Sequence, residues 1–208
     1  FCHSEYEAIA VHCSNLGIDW SASAWDLESQ LFIREFDPPF NKVASAMLGH
    51  QPLLREIASE RRRTLISTGM ASIEEIDEVV ELFRSQECPF ELLHCNSTYP
   101  MPDEEANLSC IPMLRERYGC DVGYSGHESS GYKVCVAAVA LGATTLERHV
   151  TLDRAMYGSD QAASLESSNL KSFVLAVRAI PEVLGTGMKV ITDAERAVRK
   201  KLRVDVVA

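Results

Sequence analysis

The chain has no Cys-x-x-Cys pair, no G-x-G-x-x-G, and no apolar run approaching the roughly 18–20 residues of a membrane span. Basic residues are scarce: 20 Lys and Arg stand against 30 Asp and Glu, a formal charge of −10. Each shortage excludes a class. Without paired cysteine spacing, the seven thiols read as free cysteines in a reducing, cytoplasmic setting rather than as a disulfide framework or zinc ribbon. An acidic surface repels the phosphate backbone, which argues against nucleic acid or an anionic membrane as partner. No signal-peptide pattern opens the chain, which begins at Phe1 with no Met and no strand leading in, as if joined mid-domain. The basic stretch Arg196 to Arg203 is expected to be a solvated helix end.

What is present is an ordinary globular composition, 46% hydrophobic with 11 Gly and 8 Pro, in 208 residues. That suits one domain with a sizeable core. Short β-like runs alternate with amphipathic stretches. The runs are Ile18–Ser23, Asn41–Ser45, Thr64–Ser67, Phe90–Cys95, Asp121–Ser125 and Thr144–His149. Between them, Ser72 to Gln86 carries a capping box (Ser72, Glu75) and an apolar stripe of Ile73, Ile76, Val79, Val80 and Phe83. Tyr132 to Leu141 is apolar almost all round and should be deeply packed; Asn169 to Leu184 is helical, with Pro181 expected to kink or end it. Strict βα alternation predicts a parallel sheet covered by helices. The spacing fits the compact side of a (β/α)8 TIM barrel, and the missing dinucleotide fingerprint disfavours an open doubly wound sheet. Six runs against eight imply a fragment with about six of the eight βα units.

The polar residues fall in a pattern. Five runs end in Ser or His, and the sixth leads into Asn96-Ser97-Thr98-Tyr99-Pro100. In a parallel barrel those ends share one face. Ser23, Lys42, Ser45, Ser67, Ser97 and Ser125 would form a ring of donors suited to phosphate and carboxylate, although a serine at a strand end taken singly is ordinary turn chemistry. His127 and His149 follow or end neighbouring runs, and Glu147 lies two residues before His149 on the same strand face. Two imidazoles beside a carboxylate can hold a divalent ion. His3, His12 and His50 read as surface residues, and His94 alternates to the far side of its strand. Asp160 lies in a polar loop after the last run, as a substrate contact or as part of a helix start at Ser164 or Ser168.

Leu93 to Pro100, Val122 to His127, Ala138 to Ala143 and Glu147 to Arg154 strongly resemble the sialic acid synthase (NeuB-like) family, and Ser67 to Ala71 and Gly158 to Glu166 add to the match. The resemblance covers nearly the whole chain. It implies a (β/α)8 barrel that condenses phosphoenolpyruvate with an N-acetylated hexose, typically N-acetylmannosamine, giving a nine-carbon 2-keto sugar acid and phosphate. It assigns His127 and His149 to a divalent metal, usually Mn2+, with Mg2+ or Co2+ as alternatives. Ser23, Lys42, Ser45, Ser67, Ser97 and Ser125 fall to phosphoenolpyruvate, and Tyr99, Glu147 and Asp160 to the sugar side. It further implies a homodimer, residues 1–200 as the catalytic barrel lacking its first two βα units, and 201–208 as the start of a linker towards an antifreeze-like domain. Three positions depart from the family pattern: Ser23 for Thr, Gly126 for Asp and Gln161 for His. The rival readings are another phosphoenolpyruvate-dependent 3-deoxy sugar acid synthase and a non-catalytic sugar-binding barrel.

Overall fold

The computed structural model describes residues 1–204. Helices α1 (His3–Leu16) and α2 (Leu27–Arg34) precede the first strand. The repeating part then runs β1 (Asn41–Val43), α3 (Gln51–Ser59), β2 (Thr64–Ser67), α4 (Ile73–Ser85), β3 (Phe90–Cys95), α5 (Cys110–Tyr118), β4 (Val122–Gly126), α6 (Lys133–Ala140) and β5 (Leu146–Arg148). These five strands form one parallel sheet in sequential order β1 to β5. A second parallel pair, β6 (Val150–Thr151) with β7 (Leu165–Glu166), follows, and helices α7 (Ser167–Leu184) and α8 (Asp193–Leu202) complete it. This is an arc of a (β/α) barrel. Among the described residues no helix is long and apolar enough to cross a membrane.

Strand alternation sorts the residues. Val43, Ile66, Leu92, Val122 and Tyr124 occupy one face and are fully buried with Leu53, Leu54, Ile57, Phe83 and Ile111 of the helices. The opposite face carries the polar side chains in register: Lys42 and Glu91 on either side of Leu65, and Cys95 beside Ser125 and Glu147. Burial of apolar surface therefore holds the sheet to the helices through one face and leaves the other for chemistry.

α4 begins as its capping box requires, Ser72 Oγ accepting from Glu75 N at 3.3 Å and Glu75 from Ser72 N at 2.7 Å. The helix at the basic C-terminal stretch is solvated, with no buried residue, and is capped by Thr192 and Glu195. Its last turn runs through Leu202, so the expected barrel boundary at 200 falls inside a helix; residues 205–208 of the expected linker lie outside the described residues.

Other expectations need correction. Ile18–Ser23 is not a strand: Ser21 and Ser23 lie along β1, but their hydroxyls, not their backbone N–H groups, bond the carbonyls of Phe40 and Lys42, at 2.6 and 3.2 Å. Side chains that capture backbone acceptors displace ladder pairing, so the main sheet has five strands rather than six. β1 stops at Val43 because Ser45–Met47 turns into a single 3-10 turn. The last run shortens to Leu146–Arg148, leaving His149 just past it. Pro181 sits inside α7 without ending it, and Gly185 closes the helix by bonding the Pro181 carbonyl. α6 buries only Val134, Cys135 and Ala138, one side of its apolar surface. All seven cysteines are free, but only Cys88, Cys95 and Cys135 are buried.

Candidate active site

At the C-terminal ends of the strands lies a cavity of about 510 Å3. Ser23, Lys42, Ser45, Ser67, Ser97, Tyr99, Ser125, His127, Glu147, His149 and Asp160 all line it, so every residue given a substrate or metal role from the sequence meets in one place. Trp25, Ala44, Ala46, Met70 and Arg148 complete the wall.

The anion side is built around Lys42. Its Nζ donates to Ser67 Oγ at 2.5 Å and to the Val43 carbonyl at 2.9 Å, and lies 3.5 Å from Glu147 Oε2. Burial pulls the Lys42 ammonium below its ordinary range, and the nearby Glu147 carboxylate opposes that. Ser45 Oγ accepts from Gly69 N at 2.9 Å and lies 3.2 Å from Cys95 Sγ. Gly69 has no room for a side chain: a Cβ there would come within 2.2 Å of Ser97 Oγ and 2.9 Å of Ser45 Oγ. The glycine lets the backbone approach close enough to bond the Ser45 hydroxyl and leaves room for that of Ser97.

On the other side, His127 Nδ1 lies 2.6 Å from the Asn96 carbonyl, so it carries the proton and Nε2 keeps the lone pair. Tyr99 OH meets that nitrogen at 2.9 Å. Burial, followed by the charges of Cys95, Asp160 and Glu147, pushes the Tyr99 phenol up to about 12, so it remains a donor. The rings of His127 and His149 are 5.4 Å apart between centroids, and Tyr99 packs on both, at 4.1 and 5.5 Å. Asp160 is held above them, its carbonyl accepting from Ser164 Oγ at 2.8 Å. Ser164 therefore braces the loop instead of starting α7, whose first turn has no side-chain cap.

The expected grouping of Glu147 with the two imidazoles takes a different form. The Glu147 carboxylate reaches across to Lys42, and among the described residues no three His, Cys, Asp or Glu side chains converge into a metal-binding cluster. The donor set still suits a divalent ion. The Asn96 carbonyl holds His127 in the tautomer whose Nε2 carries the lone pair, which would coordinate once the Tyr99 hydroxyl now bonded to it turns away, with a second imidazole alongside. The remaining positions would fall to substrate or water.

Burial also keeps two imidazoles below their ordinary pKa: His127, and His94, whose Nε2 lies 2.8 Å from the Ala106 carbonyl. As pH falls below about 6.5, the unfolded chain takes up protons that the folded chain resists, so stability is lost with acidification. The denaturant midpoint is expected to fall between about pH 7.5 and pH 5.5, where exposed carboxylates still stay ionised. A flat profile would show that neither ring is held neutral.

A family model described as NeuB family matches residues 1–189. The chain belongs to the NeuB family. It is 38% identical to mouse N-acetylneuraminate-9-phosphate synthase across the whole chain and 58% of that protein. To N,N'-diacetyllegionaminic acid synthase of Campylobacter jejuni it is 34% identical, over 95% of this chain and 61% of that one. Its fold matches the crystal structure of the N-acetylneuraminic acid (sialic acid) synthetase of Leptospira borgpetersenii in complex with citrate, with a TM-score of 0.89 and 32% identity over 99% of this chain and 73% of that one. The chain thus spans about three-fifths of the curated relatives' length.

Sequence reasoning missed several parts of this NeuB-family site. The Asn96 carbonyl is a backbone group and has no side-chain signature. Gly69 and Cys95 lie inside recognised segments, but only the packing shows them positioning Ser45. Arg148 lay between two singled-out residues, Glu147 and His149, and its position on the strand said nothing of its partner.

Proposed function

We propose that the protein condenses phosphoenolpyruvate with an N-acetylated hexose, N-acetylmannosamine or a modified relative, giving a nine-carbon 2-keto sugar acid and inorganic phosphate. The observation that carries this reading is one cavity with two chemically distinct halves: Lys42 with the serine hydroxyls on one side, and His127, His149, Tyr99 and Asp160 on the other. Membership of a family whose relatives include sialic and legionaminic acid synthases supports it.

In this reading the Lys42 ammonium and the hydroxyls of Ser23, Ser45, Ser67, Ser97 and Ser125 bind the phosphate and carboxylate, with charge-assisted bonds from the lysine dominating. His127 and His149 would hold a divalent ion, Mn2+ by preference, which when bound supplies Lewis acidity to the sugar's aldehyde oxygen. Tyr99, fixed against both rings, and Asp160, on the loop above, orient the sugar so that its C1 faces C3 of phosphoenolpyruvate. The new bond joins those two carbons, water adds at C2, and phosphate leaves with its bridging oxygen by C–O cleavage. Glu147, beside Lys42, sits between the two halves as the nearest carboxylate to the ammonium.

Three carbons are added ahead of the sugar, so the hexose C6 becomes C9 of the product; the mouse relative's name therefore corresponds to a 6-phosphorylated hexose. The test is phosphate release by the full-length protein from phosphoenolpyruvate with N-acetylmannosamine, its 6-phosphate and diacetamido hexoses, each with Mn2+. Release with at least one of them is expected. Release only with aldose phosphates lacking an N-acetyl group would place the protein among 3-deoxy sugar acid synthases. Sugar binding with no release would make it a binding barrel. The reading extends to a homodimer, which light scattering would report.

A further inference from the structure

The ladder between β4 and β5 ends at the pair Gly126 and Arg148. His127 and His149 each lie one residue beyond it, where the ladder gives out. Each is tied outward instead: the His127 carbonyl accepts from Met101 N at 3.0 Å and the His149 carbonyl from Leu165 N at 2.9 Å. Besides Tyr99, which packs on both rings, what spans the two strand ends is a buried ion pair made by their chain neighbours, Glu128 and Arg148, whose side chains are 0% and 3% exposed.

The Arg148 guanidinium ion-pairs with the Glu128 carboxylate through Nη1, and Nη2 donates to the Glu128 backbone carbonyl at 2.8 Å and to the Ala163 carbonyl at 3.0 Å. Nη1 also reaches the Gly131 carbonyl at 3.1 Å. One planar fork thus grips the backbone just after His127 and the 3-10 turn Gln161–Ala163, which follows Asp160 directly. Tyr124 OH donates to Glu128 Oε2 at 3.1 Å, anchoring the carboxylate to β4 itself. The space is filled: a Cβ on Gly126 would come within 2.6 Å of Glu128 Oε2 and 3.1 Å of Arg148 Cδ.

A buried pair of this kind is weak support for stability, because apolar residues of similar volume commonly replace such pairs at little cost. Its geometry is what an apolar replacement would forfeit. We propose that the Glu128–Arg148 pair is a positioning device: it sets the separation of the His127 and His149 imidazoles and seats the turn carrying Asp160. The proposal rests on the reading of this cavity as the active site, but its test reads ring geometry without substrate and is decided whether or not phosphate is released.

The experiment compares wild type, E128Q and the double variant E128M/R148M, each labelled in the histidine rings. The proton cross-relaxation peak between the His127 and His149 rings, assigned by its loss in H149Q, is followed together with the thermal midpoint. The double variant is expected to fold with a lowered midpoint, because the Glu128, Gly131 and Ala163 carbonyls lose their donor, and to lose the peak. E128Q, which keeps the shape but not the charge, is expected to stay folded with the peak reduced to less than half. A double variant that fails to fold, or either variant folding with the peak at wild-type intensity, overturns the proposal.

Discussion

Replacing Lys42 with Met is expected to weaken phosphoenolpyruvate binding by about 10- to 100-fold, the loss associated with one charge-assisted bond of about 1.5–3 kcal/mol, and to lower phosphate release at least as much. Stability should barely move. The wild-type ammonium is already disfavoured by burial, as its lowered pKa shows, so an apolar side chain of similar length removes a desolvation cost together with a contact. Glu147, freed of its partner, stays partly solvated, its side chain 39% exposed. The same depressed pKa gives wild type a pH signature. The ammonium loses its proton below the ordinary lysine range near 10.4, so affinity for the anion falls as pH rises towards that range, and the Met variant lacks this decline. Calorimetric titration with phosphoenolpyruvate and a thermal melt check both halves. Unchanged affinity in the variant would move the anion site elsewhere.

The opposite separation is expected for Phe83→Ala. Phe83 is fully buried in α4, packs edge-on against Phe90 at 6.0 Å between centroids, and touches nothing in the cavity. Truncating a buried aromatic costs about 3–5 kcal/mol through lost transfer energy and the void left behind. For a chain of this size that lowers the thermal midpoint by roughly 10 °C, while phosphoenolpyruvate affinity measured well below the new midpoint stays at the wild-type value. A midpoint shift of only a degree or two would mean that the α4 layer collapses around the vacancy. Lys42 and Phe83 thus test the two faces of one sheet independently.

Much of this division was legible in the sequence, because alternation with period two is a local signal. Val43, Ile66 and Leu92 announce the helix-covered face, and Ser67, Ser125 and Lys42 the open one. The start of α4 was equally plain, since Ser72 and Glu75 satisfy each other within a single turn. Ile18–Ser23 misled because its alternation suits a strand, while the carbonyls it would pair with are taken by its own serine hydroxyls. The grouping of Glu147 with the imidazoles was inferred from strand phase, yet the strand ends at Arg148 and the carboxylate instead answers the cation in β1. Glu128 and Arg148 could not be matched from the sequence at all: twenty residues separate them, and their meeting depends on the register of two strands.

The segment between Thr151 and Leu165 is clamped at its base. β6 pairs with β7 there, Arg154 N lies 3.4 Å from Glu166 Oε1, and the Arg154 guanidinium bonds the Ala162 carbonyl. Because both stems are pinned, the entropy of closing the span grows only logarithmically with its size, about 0.6 kcal/mol per doubling. At the exposed tip, residues 155–157, side chains can be exchanged or inserted without disturbing the hydroxyl-lined half of the hollow, while residues 160–163 stay seated by Arg148 and Ser164. An evolving lineage, or a protein engineer, could therefore reshape the imidazole side of the hollow by rewriting one tethered stretch while the lysine side is inherited intact.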